Sequence, residues 1–148
     1  MKKNSTEPPP HRQDDGEAHR PPPHVRGYDL LRCVGRGSYG EVWLGRALEG
    51  GFLAIKVVRR CDFENDRPYE REYSGIQKFQ PISRLHASQV AVLEVGRNDV
   101  EKFFFYSMEL ADSQDAPGAA AGDHPLDPIR YEPRTLKSDL RLRGRLPY

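Results

Sequence analysis

The chain has 148 residues, of which 36% are hydrophobic and 30% charged, and it carries a formal net charge of +1. That length suffices for one domain with a core, and the nearly neutral charge excludes a strongly basic nucleic-acid-binding protein. No apolar run approaches the roughly 18 residues of a membrane span, so we expect neither nucleic acid nor membrane as a partner. Two cysteines, Cys33 and Cys61, are too few for a disulfide framework and indicate a cytoplasmic protein.

Proline triplets at residues 8–10 and 21–23 dominate the start of the chain, among polar and charged residues. Such a composition offers little to bury, so we expect residues 1–26 to form a disordered, proline-rich leader. The alternative is a docking peptide for a proline-binding module, which composition alone favours less.

Apolar segments rich in β-branched and aromatic residues begin at Tyr28 and predict five strands. They cover residues 28–34, 41–47, 52–58, 90–95 and 102–108. The turns at 49–51 and 96–99 are too short for parallel crossovers, so consecutive strands should form an antiparallel meander.

A helix is predicted between the third and fourth segments, over residues 67–79. Asp66 can cap it, and Pro68 suits its first turn. One face of this helix carries Tyr69, Glu72, Ile76 and Phe79. The predicted fold class for residues 27–112 is therefore α+β, a five-stranded antiparallel sheet with one packed helix.

The pattern of apolar segments ends beyond Leu110, and residues 113–148 are predicted as a poorly packed loop followed by the start of another helix. Thr135 can cap that helix, which covers 136–143 and ends at Gly144. Five basic residues between 134 and 145 could contact phosphate or acidic lipid, but a solvent-exposed helix face is the favoured interpretation.

Residues 35–42 read GRGSYGEV and fit the pattern G-x-G-x-x-G. In a dinucleotide site the third glycine opens a helix, whereas here strand-forming residues follow it. A phosphate-binding P-loop is also excluded, because no glycine in the chain precedes a lysine. The remaining interpretation is a glycine-rich hairpin that lies over phosphates.

A hairpin of this kind needs a cation, and Lys56 lies in the next predicted strand. Ala54 is on the same side of that strand and is small enough to admit a flat base. A half-buried lysine needs an anionic partner, and the helix periodicity selects Glu72 over Glu70, which faces away. The alternative for Lys56 is an edge-strand lysine that deters aggregation, and the alternative for Glu72 is a glutamate on the surface of the helix.

Together these residues resemble the small (N-terminal) lobe of a protein kinase, most closely the eukaryotic-like serine/threonine kinases of bacteria. Residues 35–42 match the family's G-x-G-x-x-G-x-V loop, and residues 53–56 (LAIK) resemble its V-A-I-K strand. Glu72 matches the helix glutamate, and residues 108–111 (MELA) resemble the hinge after the fifth strand. The likeness covers about residues 28–112.

The resemblance implies an ATP site, with γ-phosphoryl transfer to protein serine or threonine hydroxyls in the complete domain. Met108 would lie beside the adenine, the backbone of Glu109 and Ala111 would hydrogen-bond its edge, and apolar side chains would cover it. The implied nucleotide-binding residues are Val34, Gly35, Gly37, Ser38, Gly40, Val42, Ala54, Lys56, Glu72, Met108, Glu109 and Ala111.

The chain departs from the family in lacking the H-R-D-x-x-x-x-N and D-F-G elements that supply the catalytic aspartate and the metal ligands. Residues 62–64 (DFE) resemble the D-F-G element but are interpreted as a turn. We therefore expect a lobe truncated before the helical large lobe, with no catalytic residue, Mg²⁺ only where a large lobe is supplied, and weak ATP affinity. A non-catalytic regulatory or interaction module remains the alternative, and its protein partner is not predicted.

Overall fold

The structure is a computed structural model and describes residues 20–86, 90–110 and 126–133. In chain order its elements are β1 Tyr28–Gly37, β2 Gly40–Ala47, β3 Phe52–Arg59, a 3-10 turn Arg60–Asp62, α1 Asp66–Ser83, β4 Val92–Asn98 and β5 Phe103–Met108. The predicted α+β class, with five antiparallel strands and one helix, is confirmed. The helix predicted at 136–143 lies outside the described residues.

The strands are arranged in the order β1-β2-β3-β5-β4, and every neighbouring pair is antiparallel. The prediction of a simple meander was wrong at β4, because β5 and not β4 pairs with β3. The connection between β3 and β4 contains α1 and is long enough to carry the chain past one strand position. The tight β4–β5 hairpin then brings β5 back into the gap.

The strand boundaries that differ most from the sequence pattern are those of β1 and β4. β1 continues to Gly37, and β4 runs over Val92–Asn98 and not over 90–95. The turn before β5 consequently lies at 99–102, where the Asn98 side chain accepts hydrogen bonds from the backbone N–H groups of Val100 and Glu101 at 3.1 and 3.0 Å. This side-chain bonding to the backbone is a common means of closing a turn.

Helix α1 begins one residue before the predicted start. The cap is Asn65 and not Asp66, since the Asn65 side chain accepts a hydrogen bond from the backbone N–H of Arg67 at 3.2 Å. The helix also continues past Phe79, through Pro81, to Ser83. Phe79, predicted on the buried face, stays 37% exposed.

Ser83 joins the end of α1 to the sheet. Its hydroxyl donates to the Gln80 carbonyl at 2.7 Å and accepts from the backbone N–H of Val92 at 2.9 Å. The Gln80 side chain donates to the Leu93 carbonyl at 2.9 Å. The carboxyl end of α1 is therefore held against β4.

The sheet has a core on each face. On the face that carries α1, here called the front face, the buried residues are Val58, Phe63, Tyr69 and Phe104. On the opposite, rear face they are Val25, Trp43, Ile55, Val57, Phe103 and Phe105. Because both faces are covered, no residue of β3 or β5 is fully exposed, which explains their nearly continuous apolar sequences.

Residues 20–26, assigned to the disordered leader by the sequence, pack against this sheet. Val25 is 2% exposed within the rear core, and Pro23 is also buried. Arg20 forms an ion pair with Asp62 at 2.7 Å, and Arg59 donates to the Pro21 carbonyl at 3.1 Å. The packed part of the chain thus begins before residue 27. Residues 1–19 lie outside the described ranges.

Candidate functional site

The glycine-rich motif forms the hairpin between β1 and β2. Ser38 and Tyr39 make its two-residue turn, and Gly37 pairs with Gly40 at the end of the ladder. Gly40 has a φ of +141°, and a Cβ there would lie 2.6 Å from the Val57 carbonyl oxygen. The fold therefore requires glycine at residue 40.

Gly37 is under no such constraint. Its φ is not positive, and a Cβ there would meet no atom within 4 Å. A Cβ at Gly35 would likewise meet only the Cβ of Val42, at an ordinary 3.9 Å. Glycine at these two positions is consistent with the close approach of a ligand to the backbone, one of the uses of this residue.

Lys56 lies on the front face of β3, opposite Val42 in β2 and Tyr106 in β5. Its Nζ is 3.6 Å from Oε1 of Glu72 in α1 and 5.7 Å from the centre of the Tyr106 ring. The structure therefore brings together the lysine and the glutamate that the sequence pattern paired.

The Lys56–Glu72 pair is only half-buried, with side chains 27% and 31% exposed. Ion pairs at such exposure contribute about 0–1 kcal/mol to stability. The pair thus adds little to the stability of the fold. Its charges remain accessible to a ligand in the cleft beside it.

A cleft of about 480 Å³ lies between the hairpin and the Lys56–Glu72 pair. The predicted residues that line it are Gly35, Gly37, Ser38, Gly40, Val42, Lys56 and Glu72. Arg36 and Tyr39 line it as well. Sequence reasoning missed these two because they occupy the variable positions of the glycine pattern, where the motif sets no requirement.

Of the residues expected around a base, Val42 lines this cleft, whereas Val34, Ala54, Met108 and Glu109 do not. Ala54 is directly opposite Met108 on the front face, where Ala54 is buried and Met108 half-buried. Val34 is half-buried at an irregularity of β1. The backbone N–H of Glu109 donates to the Ala91 carbonyl at 3.3 Å, so this N–H is already bonded within the sheet. Ala111 lies outside the described residues.

The segment of residues 126–133 lies beside this end of the sheet. Arg32, opposite Leu44 in the sheet, donates from Nε to the Pro128 carbonyl at 3.4 Å and from its terminal nitrogen to the Tyr131 carbonyl. Tyr131 itself is buried. Nothing in the sequence pattern pointed to this contact, because it joins positions far apart in the chain.

The opposite side of α1 is held to β4 by an arginine. Arg97 binds both carboxylate oxygens of Glu70 at 2.7 Å and Asp99 at 2.5 Å, and its guanidinium lies 5.5 and 5.1 Å from the ring centres of Tyr69 and Tyr73. The hydrogen bonds from Arg97 lower the pKa of Glu70 because they favour its charged form. Glu70 points away from the lysine, as its spacing predicts.

The described residues bring together no group of three or more His, Cys, Asp or Glu side chains that could hold a metal ion. In the same ranges, no helix has both the length and the apolar composition that crossing a bilayer demands.

Comparison with known proteins adds a sequence similarity. An alignment 75 residues long is 36% identical to the serine/threonine-protein kinase RIM15 of Saccharomyces cerevisiae. The alignment covers 46% of this chain. The matched stretch is 4% of that protein, so the chain spans a small part of its length. No protein-family model matches the chain. The similarity and the five-stranded sheet with one helix support a kinase-like region that fits a kinase small lobe.

Proposed function

We propose that this chain carries the ATP-binding small lobe of a serine/threonine protein kinase. The observation that carries the proposal is the half-buried Lys56–Glu72 pair, which faces a cleft roofed by a glycine hairpin. A glycine-rich hairpin beside a lysine is suited to phosphate groups, and the similarity to a serine/threonine kinase supports the same ligand.

Each part of the site has a distinct role in this proposal. The hairpin backbone from Gly35 to Gly40 covers the phosphates, and Lys56 neutralises their charge. Glu72 keeps the lysine extended toward the cleft. The base lies toward Ala54 and Met108, where the front face carries small and apolar side chains.

ATP would supply the γ-phosphoryl group, which a complete kinase domain transfers to serine or threonine hydroxyls of a protein. That transfer needs a residue to orient the hydroxyl and ligands for Mg²⁺. We assign neither role within this chain. Because the small lobe covers only one side of the base, we expect weak ATP binding by this chain alone.

The cytoplasm is the proposed location, since it supplies ATP and keeps thiols reduced. Cys33 and Cys61 are both free thiols in the structure, which supports this location.

The test is a titration of the isotope-labelled full chain with ATP, followed by NMR. We expect saturable shifts of the Gly37, Gly40 and Lys56 amides, with a dissociation constant in the millimolar range. Lys56→Met should weaken binding at least about tenfold, the usual consequence of losing a hydrogen bond to a charged group. Lys78→Met is the matched control, because Lys78 is exposed on α1 and does not line the cleft.

Equal binding by the Lys56→Met and control variants would contradict the proposal. A micromolar dissociation constant for the unmodified chain would contradict the expectation of weak affinity. If ATP produced no shift at any attainable concentration, the non-catalytic interaction module would be the better interpretation.

A further inference from the structure

The tip of the glycine hairpin is attached to the front core by one aromatic contact. Tyr39, in the turn, stacks on Phe63 with ring centres 5.2 Å apart and an interplanar angle of 22°. Tyr39 is 55% exposed, so burial alone does not account for its position. Stacking with Phe63 is the interaction that directs this side chain toward α1.

Phe63 is held firmly on its side of the stack. Its backbone N–H donates to the Arg60 carbonyl at 3.2 Å, and its own carbonyl accepts from the Arg60 guanidinium at 2.8 Å. Its ring meets the edge of Tyr69 in α1 at 5.8 Å, and Tyr69 contacts Phe104 of β5 at 5.2 Å. Phe63 is therefore a fixed support for the hairpin tip.

The stack bridges the two walls of the cleft. Tyr39 belongs to the hairpin that covers the cleft, and Phe63 contacts the helix that carries Glu72 on the other wall. At the end of the ladder Gly40 packs closely against β3, whereas a Cβ at Gly37 would meet no atom within 4 Å. The stack adds an attachment at the turn itself, beyond the last ladder pair, and so limits how far the tip can lift from the cleft.

We propose that Tyr39 and Phe63 are positioning residues, whose stacking holds the tip of the glycine hairpin over the phosphate part of the cleft. Neither residue was assigned a role by the sequence pattern. The contacts of Tyr39 and Phe63 support this attachment of the tip by themselves. Only its consequence for phosphate binding rests on the proposed function.

Hydrogen exchange of the full chain tests the holding of the tip. Tyr39→Leu should raise exchange of the amides of residues 37–40 by about 2- to 12-fold, the factor expected from the strength of an aromatic pair. The Phe104 amide in β5 should still exchange far more slowly than the tip amides, and the melting temperature should fall by only a few degrees. Tyr39→Phe keeps the ring and should restore slow exchange.

Two further variants make the result decisive. Phe63→Leu should reproduce the faster tip exchange from the other side of the stack. Leu48→Ser, at another hairpin turn where Leu48 is 71% exposed, should leave the tip unchanged. Tip exchange in Tyr39→Leu equal to that of the unmodified chain would overturn the proposal.

Titration with inorganic tripolyphosphate separates this proposal from the proposed function. If the unmodified chain binds tripolyphosphate, Tyr39→Leu should weaken binding by about the same 2- to 12-fold factor, and unchanged affinity would refute the positioning role. If the unmodified chain does not bind it, phosphate recognition fails, while the exchange result still decides whether the stack holds the tip.

Discussion

Two glycines of the hairpin illustrate how single residues divide between folding and binding. Gly40 is required by its positive φ and by the nearby Val57 carbonyl. Gly37 has room for a side chain and an ordinary backbone conformation. Substituting each glycine by alanine should therefore affect different properties of the protein.

Gly40→Ala should lower the free energy of unfolding by about 1–3 kcal/mol, because the left-handed backbone and the close carbonyl both oppose a Cβ. Gly37→Ala should change it by no more than about 0.5 kcal/mol but weaken ATP binding. Urea unfolding and the NMR titration measure the two effects. Equal losses of stability in both variants would show that this assignment of roles is wrong.

The residues of the cleft could be anticipated from the sequence where a local period applied. Alternation along β3 put Ala54 and Lys56 on one face, and helical spacing directed Glu72 toward the sheet. Phe63 and Tyr39 could not be paired in this way. Their contact joins a turn to a connection after β3, and no repeating pattern relates the two.

At the scale of elements, α1 determines where Glu72 lies. The helix is capped by Asn65 at its start and bonded to β4 through Ser83 at its end. Between these points Arg97 binds Glu70, two residues before Glu72. The orientation of the cleft glutamate thus depends on contacts that α1 makes with the far edge of the sheet.

The Glu70–Arg97 contact should make stability depend on pH. Because the pKa of Glu70 is lower in the folded state than its ordinary value of 4.5, its contribution is complete above that value. The contribution is lost as the pH falls through the lowered pKa. Melting temperatures measured between about pH 6 and pH 3 should fall less steeply for Glu70→Gln than for the unmodified chain.

Glu101→Gln is the control for this series, since Glu101 is exposed in the β4–β5 turn. The melting temperature of Glu101→Gln should fall as steeply as that of the unmodified chain over the same pH range. A Glu70→Gln variant that loses stability on acidification as steeply as the unmodified chain would contradict the role of this pair.

The elements themselves were largely predictable, whereas their arrangement was not. Runs of β-branched and aromatic residues located all five strands, and turn lengths indicated antiparallel pairing. The position of β4 at the sheet edge depends on how α1 crosses the sheet, which local pattern does not encode. The start of α1 was missed by one residue because Asn65 and Asp66 are both good capping residues.

At the scale of the molecule, the start of the packed region contributes directly to the rear core. Val25 lies among Trp43 and Ile55 there, and Arg20 and Pro21 are bonded to the region around β3. A lone valine after three prolines carries almost no periodic signal, so the sequence assigned it to the leader. Its burial is a property of the tertiary structure.

Val25→Ala should lower the free energy of unfolding by roughly 2 kcal/mol, through lost burial and a small cavity. Val100→Ala, at a valine that is 92% exposed, should have almost no effect. Urea unfolding of both variants measures the difference. Equal stability of the two variants would mean that residues 20–26 do not pack as described.

The bond between Arg32 and the Tyr131 carbonyl joins residues 99 positions apart, whereas the β1–β2 hairpin closes over a two-residue turn. Closing a longer loop costs more chain entropy, so the hairpins should form early in folding and the Arg32 contact late. The same contact can open without breaking any strand pairing. We therefore expect the Arg32 contact, at the end of the sheet nearest Ala54 and Met108, to open and close locally without global unfolding.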